Sequence, residues 1–260
     1  DAVDAAVRFL LAHLQPFFDA VTAGIGWLTD AIAALLLWFP GATLAVLIAL
    51  LAVWRVGWRF GLFALAALAL LQGMGLWRES IDTLALVLAA TAVSLAVGLP
   101  LGIWAARRNV VDRFLRPVLD FMQTMPAFVY LIPAAMFFGL GKVPGVIATI
   151  IFSMPPAVRL TNLGIRQVPR EIVEAGQAFG CTPRQLLFKV QLPTAKRSIM
   201  AGVNQTILLS LSMVVIASMI GAGGLGKEVL RGIQRLEVGV GFEGGIGVVL
   251  LAIILDRITQ

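Results

Sequence analysis

The residues able to do chemistry are few, and most of them are gathered in one place. From Arg159 to Arg197 the chain reads RLTNLGIRQVPREIVEAGQAFGCTPRQLLFKVQLPTAKR, the one long polar stretch in an otherwise apolar sequence. Its types and spacing do not make a catalytic set. His13 is the single histidine and Cys181 the single cysteine. Neither a Ser/His/Asp arrangement nor a His/Cys/Asp metal cluster can be assembled from them. His13 reads as a surface or interfacial residue, and Cys181 as a small residue at a helix junction. No Gly-x-x-x-x-Gly-Lys-Ser/Thr loop occurs, so ATP is not bound through that motif. What remains is the chemistry of contact: charges to pair with a partner in water, and small side chains that let it come close.

Two short helices must position that chemistry. Pro169 suits a first helical turn, and Glu171 and Glu174 then sit near its positive end. Ile172, Ala175 and Phe179 recur at helical spacing, and Gly180 stands where a left-handed residue closes a helix. Thr182, Pro183 and Gln185 carry the pattern of a capping box that restarts the chain. Leu186, Leu187 and Val190 give a second apolar stripe, which Pro193 is expected to end. The result is a helix–turn–helix knob rimmed by Arg166, Arg170, Arg184, Lys189, Lys196 and Arg197. Ala175 and Gly176 lack bulk, so the first helix can lie close to a partner. The same spacing also suits an ordinary amphipathic loop helix that caps a bundle.

Around the knob the sequence is membrane-like: 60% hydrophobic and only 13% charged over 260 residues. Residues 1–40 are amphipathic, broken at Pro16 and Pro40, and read as an interfacial segment, although 31–39 can also begin a span. Residues 41–260 form the transmembrane domain. Against the ~20 apolar residues a bilayer needs, spans are predicted near 41–54, 60–77, 83–106, 118–139, 145–158, 198–220 and 240–255. The fold class is thus an all-α polytopic membrane protein with about seven transmembrane helices and an N-terminal interfacial helix. Spans three to six are expected to hold no Asp, Glu, Lys, Arg or His, which argues against coupling to protons or sodium. With the knob inside, 14 of the 20 basic residues fall in inside loops and 6 outside. That bias predicts an extracytoplasmic N-terminus and a cytoplasmic C-terminus. The net charge of +6 therefore reflects topology and not nucleic-acid binding.

Candidate pathway residues are Met122, Met125, Phe128 and Tyr130 around the Pro126 kink, and Ser210, Met213 and Ser218 on the sixth span, with Ser212 beside them. Methionine and aromatic faces suit passage of a soft cation. Helix packing explains the same residues equally well. Ser218–Gly226, SMIGAGGLG, reads as a flexible loop: an outer gate, a docking point or a plain connection.

Glu174-Ala175-Gly176, then Gly180, then Val190-Gln191-Leu192-Pro193 resembles the cytoplasmic loop of ABC-importer permeases, whose pattern is Glu-Ala-Ala, Gly and Ile-x-Leu-Pro. Gly176 and Val190 depart mildly from it. Longer runs, MQTMPAFVYLIP (122–133), LALVLAATAVSLAVGLPLGIWAAR (84–107), FGCTPRQLLFKVQLP (179–193) and GVNQTILLSLSMVVIASMIGAGGLG (202–226), resemble the glycine betaine/proline permease branch of bacteria. The resemblance implies a type I ABC-importer transmembrane domain in the inner membrane, present in two copies. It implies two ATPase subunits that carry ATP and Mg, and an extracytoplasmic binding protein that selects an osmoprotectant. Residues 159–197 would be the coupling loop. Glu171, Glu174, Ala175, Gly176, Phe179, Gly180, Arg184, Leu192 and Pro193 would engage the ATPase. Two rival readings are a stand-alone secondary carrier or channel for small amines, and a membrane scaffold without transport.

Overall fold

A computed structural model describes residues 2–259, with side chains described from His13 to Thr259, and every element in it is helical. Its frame is three long helices: α4 (Trp77–Arg107), α7 (Lys142–Arg166) and α10 (Leu192–Ala217). Small residues let them touch. A Cβ on Gly102 of α4 would lie 2.7 Å from both Thr161 Cβ and Val158 O of α7. One on Gly164 would lie 2.7 Å from Ser198 Cβ of α10, and one on Gly202 would lie 3.2 Å from Pro156 O. In a bilayer, lipid tails are as apolar as leucine, so such close backbone approach is what holds helices together. Hydroxyls add cross-links: Ser94 Oγ lies 3.2 Å from Ser153 Oγ, and Thr91 Oγ1 donates to Ser210 Oγ at 3.3 Å.

The other elements line up against this frame. α2 (Gly41–Arg55) and α3 (Trp58–Gly73) form a hairpin in which Gly61 fits beneath Val53. Gly41 meets Trp77 at one end of the bundle, and Arg55 Nε donates to Ile258 O at the other. The fourth span is broken: α5 (Asn109–Thr124) and α6 (Leu131–Phe138) meet at 106°, joined through Pro126 and a 3₁₀ turn at Ala127–Tyr130. Five described helices are long and apolar enough to cross a membrane, six if that bent pair is one span. They include α4, α7, the helix through α10, and α12 (Val238–Thr259). The predicted first and second spans are α2 and α3, at 15 and 16 residues shorter than a straight crossing needs.

Several sequence expectations give way to packing. Pro155 and Pro156 do not end the fifth span. α7 runs on to Arg166, because α4 and α10 clasp it from both sides where the prolines remove hydrogen bonds. Pro16 does not break the N-terminal segment, which is one helix, α1 (Ala2–Leu37). Its stretch His13–Leu37 is itself long and apolar enough to span. Besides its packing on α4, Phe18 meets Phe137 and Phe138, Gly26 lies by Val143 and Asp30 by Lys142, all three at one end of α6 and α7. Residues 18–30 cover about 18 Å of helix, yet these three contacts stay at the end of α6 and the start of α7.

The loop read as flexible at Ser218–Gly226 is a pinned corner. Gly221, Gly223 and Gly224 take φ of 89°, 87° and 68°, a region other residues avoid. Gly141 N donates to Ile220 O at 2.9 Å, and Leu225 N donates to Thr83 Oγ1 at 2.8 Å. An unexpected amphipathic helix follows, α11 (Gly224–Arg235), which folds back on the start of α12.

Candidate functional site

The knob stands at the end of the bundle where α7 stops and α10 begins. Residues 159–166 belong to α7 and 192–197 to α10, so the projecting part is 167–191, shorter than the polar stretch. Its first helix, α8 (Arg170–Ala178), starts after Pro169, whose carbonyl accepts from Ile172 N and Val173 N. It ends as the sequence predicts. Gly180 sits at φ 77°, its N–H bonds Gln177 O at 2.9 Å, and Cys181 N bonds Gly176 O at 3.1 Å. That is a left-handed helix stop with both end carbonyls satisfied. The capping box is also present: Gln185 N donates to Thr182 Oγ1 at 3.3 Å, and Thr182 N to Gln185 Oε1 at 2.8 Å.

Pro193 does not end the second helix. α9 (Pro183–Gln185) runs through a π-helical stretch at Leu186–Gln191 into α10. Leu192 N reaches back five residues to Leu187 O. The wider turn re-registers the ladder just before the residue that has no N–H to give. Leu187, only 3% exposed, packs with Ile165, Ala195 and Leu192 into a small core that fixes the knob to the bundle.

The predicted contact residues divide by direction. Phe179 is 90% exposed, and no residue of α8 is buried. Glu171, Glu174, Ala175, Phe179 and Arg184 all lie at the surface. Glu174 lines a groove of about 370 Å³ with Val168, Arg170, Val173, Gln177 and Gln191. Gly176 serves the inside instead of a partner: a Cβ there would lie 2.8 Å from Leu186 Cδ1 of the second helix. Gly180 and Pro193 shape the chain, and Leu192 belongs to the small core.

Arg166 is not part of the rim. It donates to Asn162 Oδ1 at 2.8 Å, Asn109 Oδ1 at 2.9 Å and Ala105 O at 2.8 Å, and lies 3.5 Å from Asp112 Oδ2. Asp112, its side chain 9% exposed, also receives Asn162 Nδ2 at 2.6 Å and pairs with Arg116. One level further in, Asp120 pairs with Arg159. Asp120 lies inside the predicted fourth span, against the expectation that spans three to six hold no charge. This ladder joins α5 to the part of α7 that carries the knob. Its signal was the spacing of 112, 116 and 120 and of 159, 162 and 166, one face of each helix.

The pathway candidates also divide. Ser210 and Met213 are fully buried, and Tyr130 and Ser218 nearly so, all inside the chain's own core. Tyr130 donates its hydroxyl to Met122 O. Met122 and Met125 are half-buried, and Phe128 is exposed.

Helices packed through glycines around a solvent-facing knob define a membrane subunit that receives a partner at its end. Residues 98–260 match the family of binding-protein-dependent transport system inner membrane components, and the chain belongs to that family. Among curated proteins it is 51% identical to the Escherichia coli glycine betaine/proline betaine transport system permease protein ProW, over 99% of this chain and 73% of that one. It is 48% identical to the Bacillus subtilis glycine betaine transport system permease protein OpuAB, over 100% of this chain and 92% of that one. It is 52% identical to the Listeria monocytogenes glycine betaine/carnitine transport permease protein GbuB, over 96% and 90%. A chain of the inward-facing MetNI methionine ABC transporter superposes with a TM-score of 0.63 at 22% identity, covering 71% of this chain and 94% of that one. The fold is thus that of a type I ABC-importer transmembrane subunit.

Proposed function

We propose that the chain is the permease subunit of an ATP-driven importer of glycine betaine or proline-type compatible solutes. The observation that carries the mechanical part is the knob: internally braced by two caps and a small core, yet bare on the face that holds Glu171, Ala175, Phe179 and Arg184. Such a face is finished by another protein. The ATPase subunit is that partner, supplying the ATP and Mg chemistry. The names of the relatives support the solute class.

In this reading the knob end is cytoplasmic, as the excess of basic residues there favours. A binding protein delivers the solute to the opposite end, and a second permease copy completes the pathway. α1 lies across the outer end as an interfacial helix, a reading supported by Phe18, Gly26 and Asp30 all meeting α6 and α7 there. ATP-driven closure of the ATPase pair pushes the knob. The Asp112–Arg166 and Asp120–Arg159 pairs carry that push from α7 to α5, and the bundle passes between inward and outward openings.

The test is uptake into proteoliposomes holding the permease, its ATPase and the binding protein. Labelled glycine betaine should accumulate only with ATP and all three proteins. Glu174→Arg or Gly180→Trp should leave the permease in the membrane with hydrolysis uncoupled from uptake. Gradient-driven uptake by the chain alone would instead make it a secondary carrier.

A further inference from the structure

The fourth span breaks half-way along its length, and the break has a definite depth. On its knob side, Asp120 of α5 pairs with Arg159 of α7. On its far side, the Tyr130 ring meets Phe152 of α7 with centroids 6.2 Å apart. Met125 and Pro126 are therefore level with residues 155–157 of α7. α10 crosses α7 at that same level, since a Cβ on Gly202 would lie 3.2 Å from Pro156 O and 3.5 Å from Ala157 Cα. Asn204 and Gln205 come within the next turn, about 3–5 Å further along the axis.

Two features there are expensive in a dry membrane. The backbone leaves helical geometry at Met125, with φ −72° and ψ 136°. Irregular backbone at membrane depth persists only inside protein or against a water-filled cavity. Asn204 Oδ1 is buried without a hydrogen-bond partner among the described residues. Gln205, Leu208 and Ser212 continue along an exposed face of α10. A groove of about 510 Å³, lined by Lys196, Arg197, Met200, Ala201 and Asn204, leads from the knob end of α10 up to that amide.

We infer that Asn204 and Gln205, at the level of the Met125–Pro126 break, form a mid-membrane contact site for a zwitterionic quaternary amine, which opens toward the knob end through this groove. The site rests on the solute class proposed above. An amide serves both ends of such a molecule: its N–H groups donate to the carboxylate, and its oxygen attracts methyl groups polarised by the quaternary nitrogen. Met200, which lines the groove, offers a polarizable face. Lys196 and Arg197 at the knob-side mouth attract the carboxylate as the solute leaves. With no full charge at the site, the solute is held briefly and released. The contact residues are therefore on the open face of α10, and not the buried Ser210 and Met213.

The experiment uses the reconstituted complex with Cys181→Ser as background. Asn204→Cys, Gln205→Cys and, as an internal control, Met213→Cys are treated with a charged, membrane-impermeant thiol reagent from the knob side. Positions 204 and 205 should label, at least threefold more slowly with millimolar glycine betaine, and position 213 should not label. Absence of labelling at both, or labelling that glycine betaine does not slow, overturns the site. Disulfide formation between two copies at 205 without labelling makes the stripe a dimer seam and overturns it too. Should the cysteine variants fail to assemble, Asn204→Leu replaces them, with at least tenfold slower uptake expected at unchanged ATP hydrolysis. Uptake at the background rate overturns the site. Uptake by the Cys181→Ser complex separates the two readings. Betaine uptake with unprotected thiols sinks the site alone, whereas no betaine uptake removes the solute assignment and the site's ligand with it.

Discussion

The α4–α7–α10 bundle and the 167–191 knob use the same small residues to opposite ends. In the bundle, Gly102, Gly164 and Gly202 bring helix close onto helix and are used up in that packing. In the knob, Gly176 seats Leu186 and Gly180 turns the chain, which fixes the shape while leaving Phe179 in the open. The bundle's glycines are spent on its own helices. The knob is complete in form and incomplete in surface. Mutations should therefore separate cleanly: bundle changes cost folding, knob-face changes cost partnership.

The largest effect is expected at Gly102→Leu. The new side chain meets Thr161 and Val158 O, neither of which can move without parting α4 from α7. Overpacking of this kind costs about 1–3 kcal/mol even in adaptable cores. Aggregated protein on size exclusion in detergent is expected, and a monodisperse peak at wild-type melting temperature would contradict it. Asp112→Asn should come next. It removes one charge from a site where Arg166, Arg116 and Asn162 converge, and a charge-assisted hydrogen bond contributes about 1.5–3 kcal/mol. A lowered thermal midpoint in detergent checks this, and combining it with Arg166→Gln should cost less than the sum of the two. Thr182→Ala loses one cap and should cost about 1 kcal/mol, visible as faster proteolysis within 167–191 and not as loss of the bundle. Gly176→Ala should change least, because the added methyl crowds only the tip of Leu186, which can rotate away, and meets Val190 Cγ2 at an ordinary 3.5 Å. Wild-type uptake and melting are the expected results.

Local punctuation was legible in the sequence. Thr182, Pro183, Gln185 and Gly180 do what their types and spacing say, because caps and left-handed turns depend on neighbours in the chain. The glycine betaine branch was legible too, from long runs such as 202–226. What failed was punctuation that packing overrides. Pro155 and Pro156 continue a helix held on two sides, and a π turn absorbs Pro193. The glycines of 221–224 signalled freedom, but Thr83 and Gly141 use their positive φ to lock a corner. α11 was hidden behind those glycines although Leu225, Val229 and Ile233 repeat every four residues. The Asp112–Arg166 ladder joins residues 54 apart in the chain: spacing marks one polar face on each helix, but only packing says that the two faces meet.

The sharpest test of a knob that is finished by another protein is co-purification of the ATPase with Phe179→Asp. Phe179 is 90% exposed, so the change should leave the melting temperature of the isolated permease within about a degree. The account predicts that the ATPase follows the wild-type permease through affinity purification and is lost from the variant. An ATPase retained in full stoichiometry by Phe179→Asp, and still retained when Glu174→Arg is added, would contradict it.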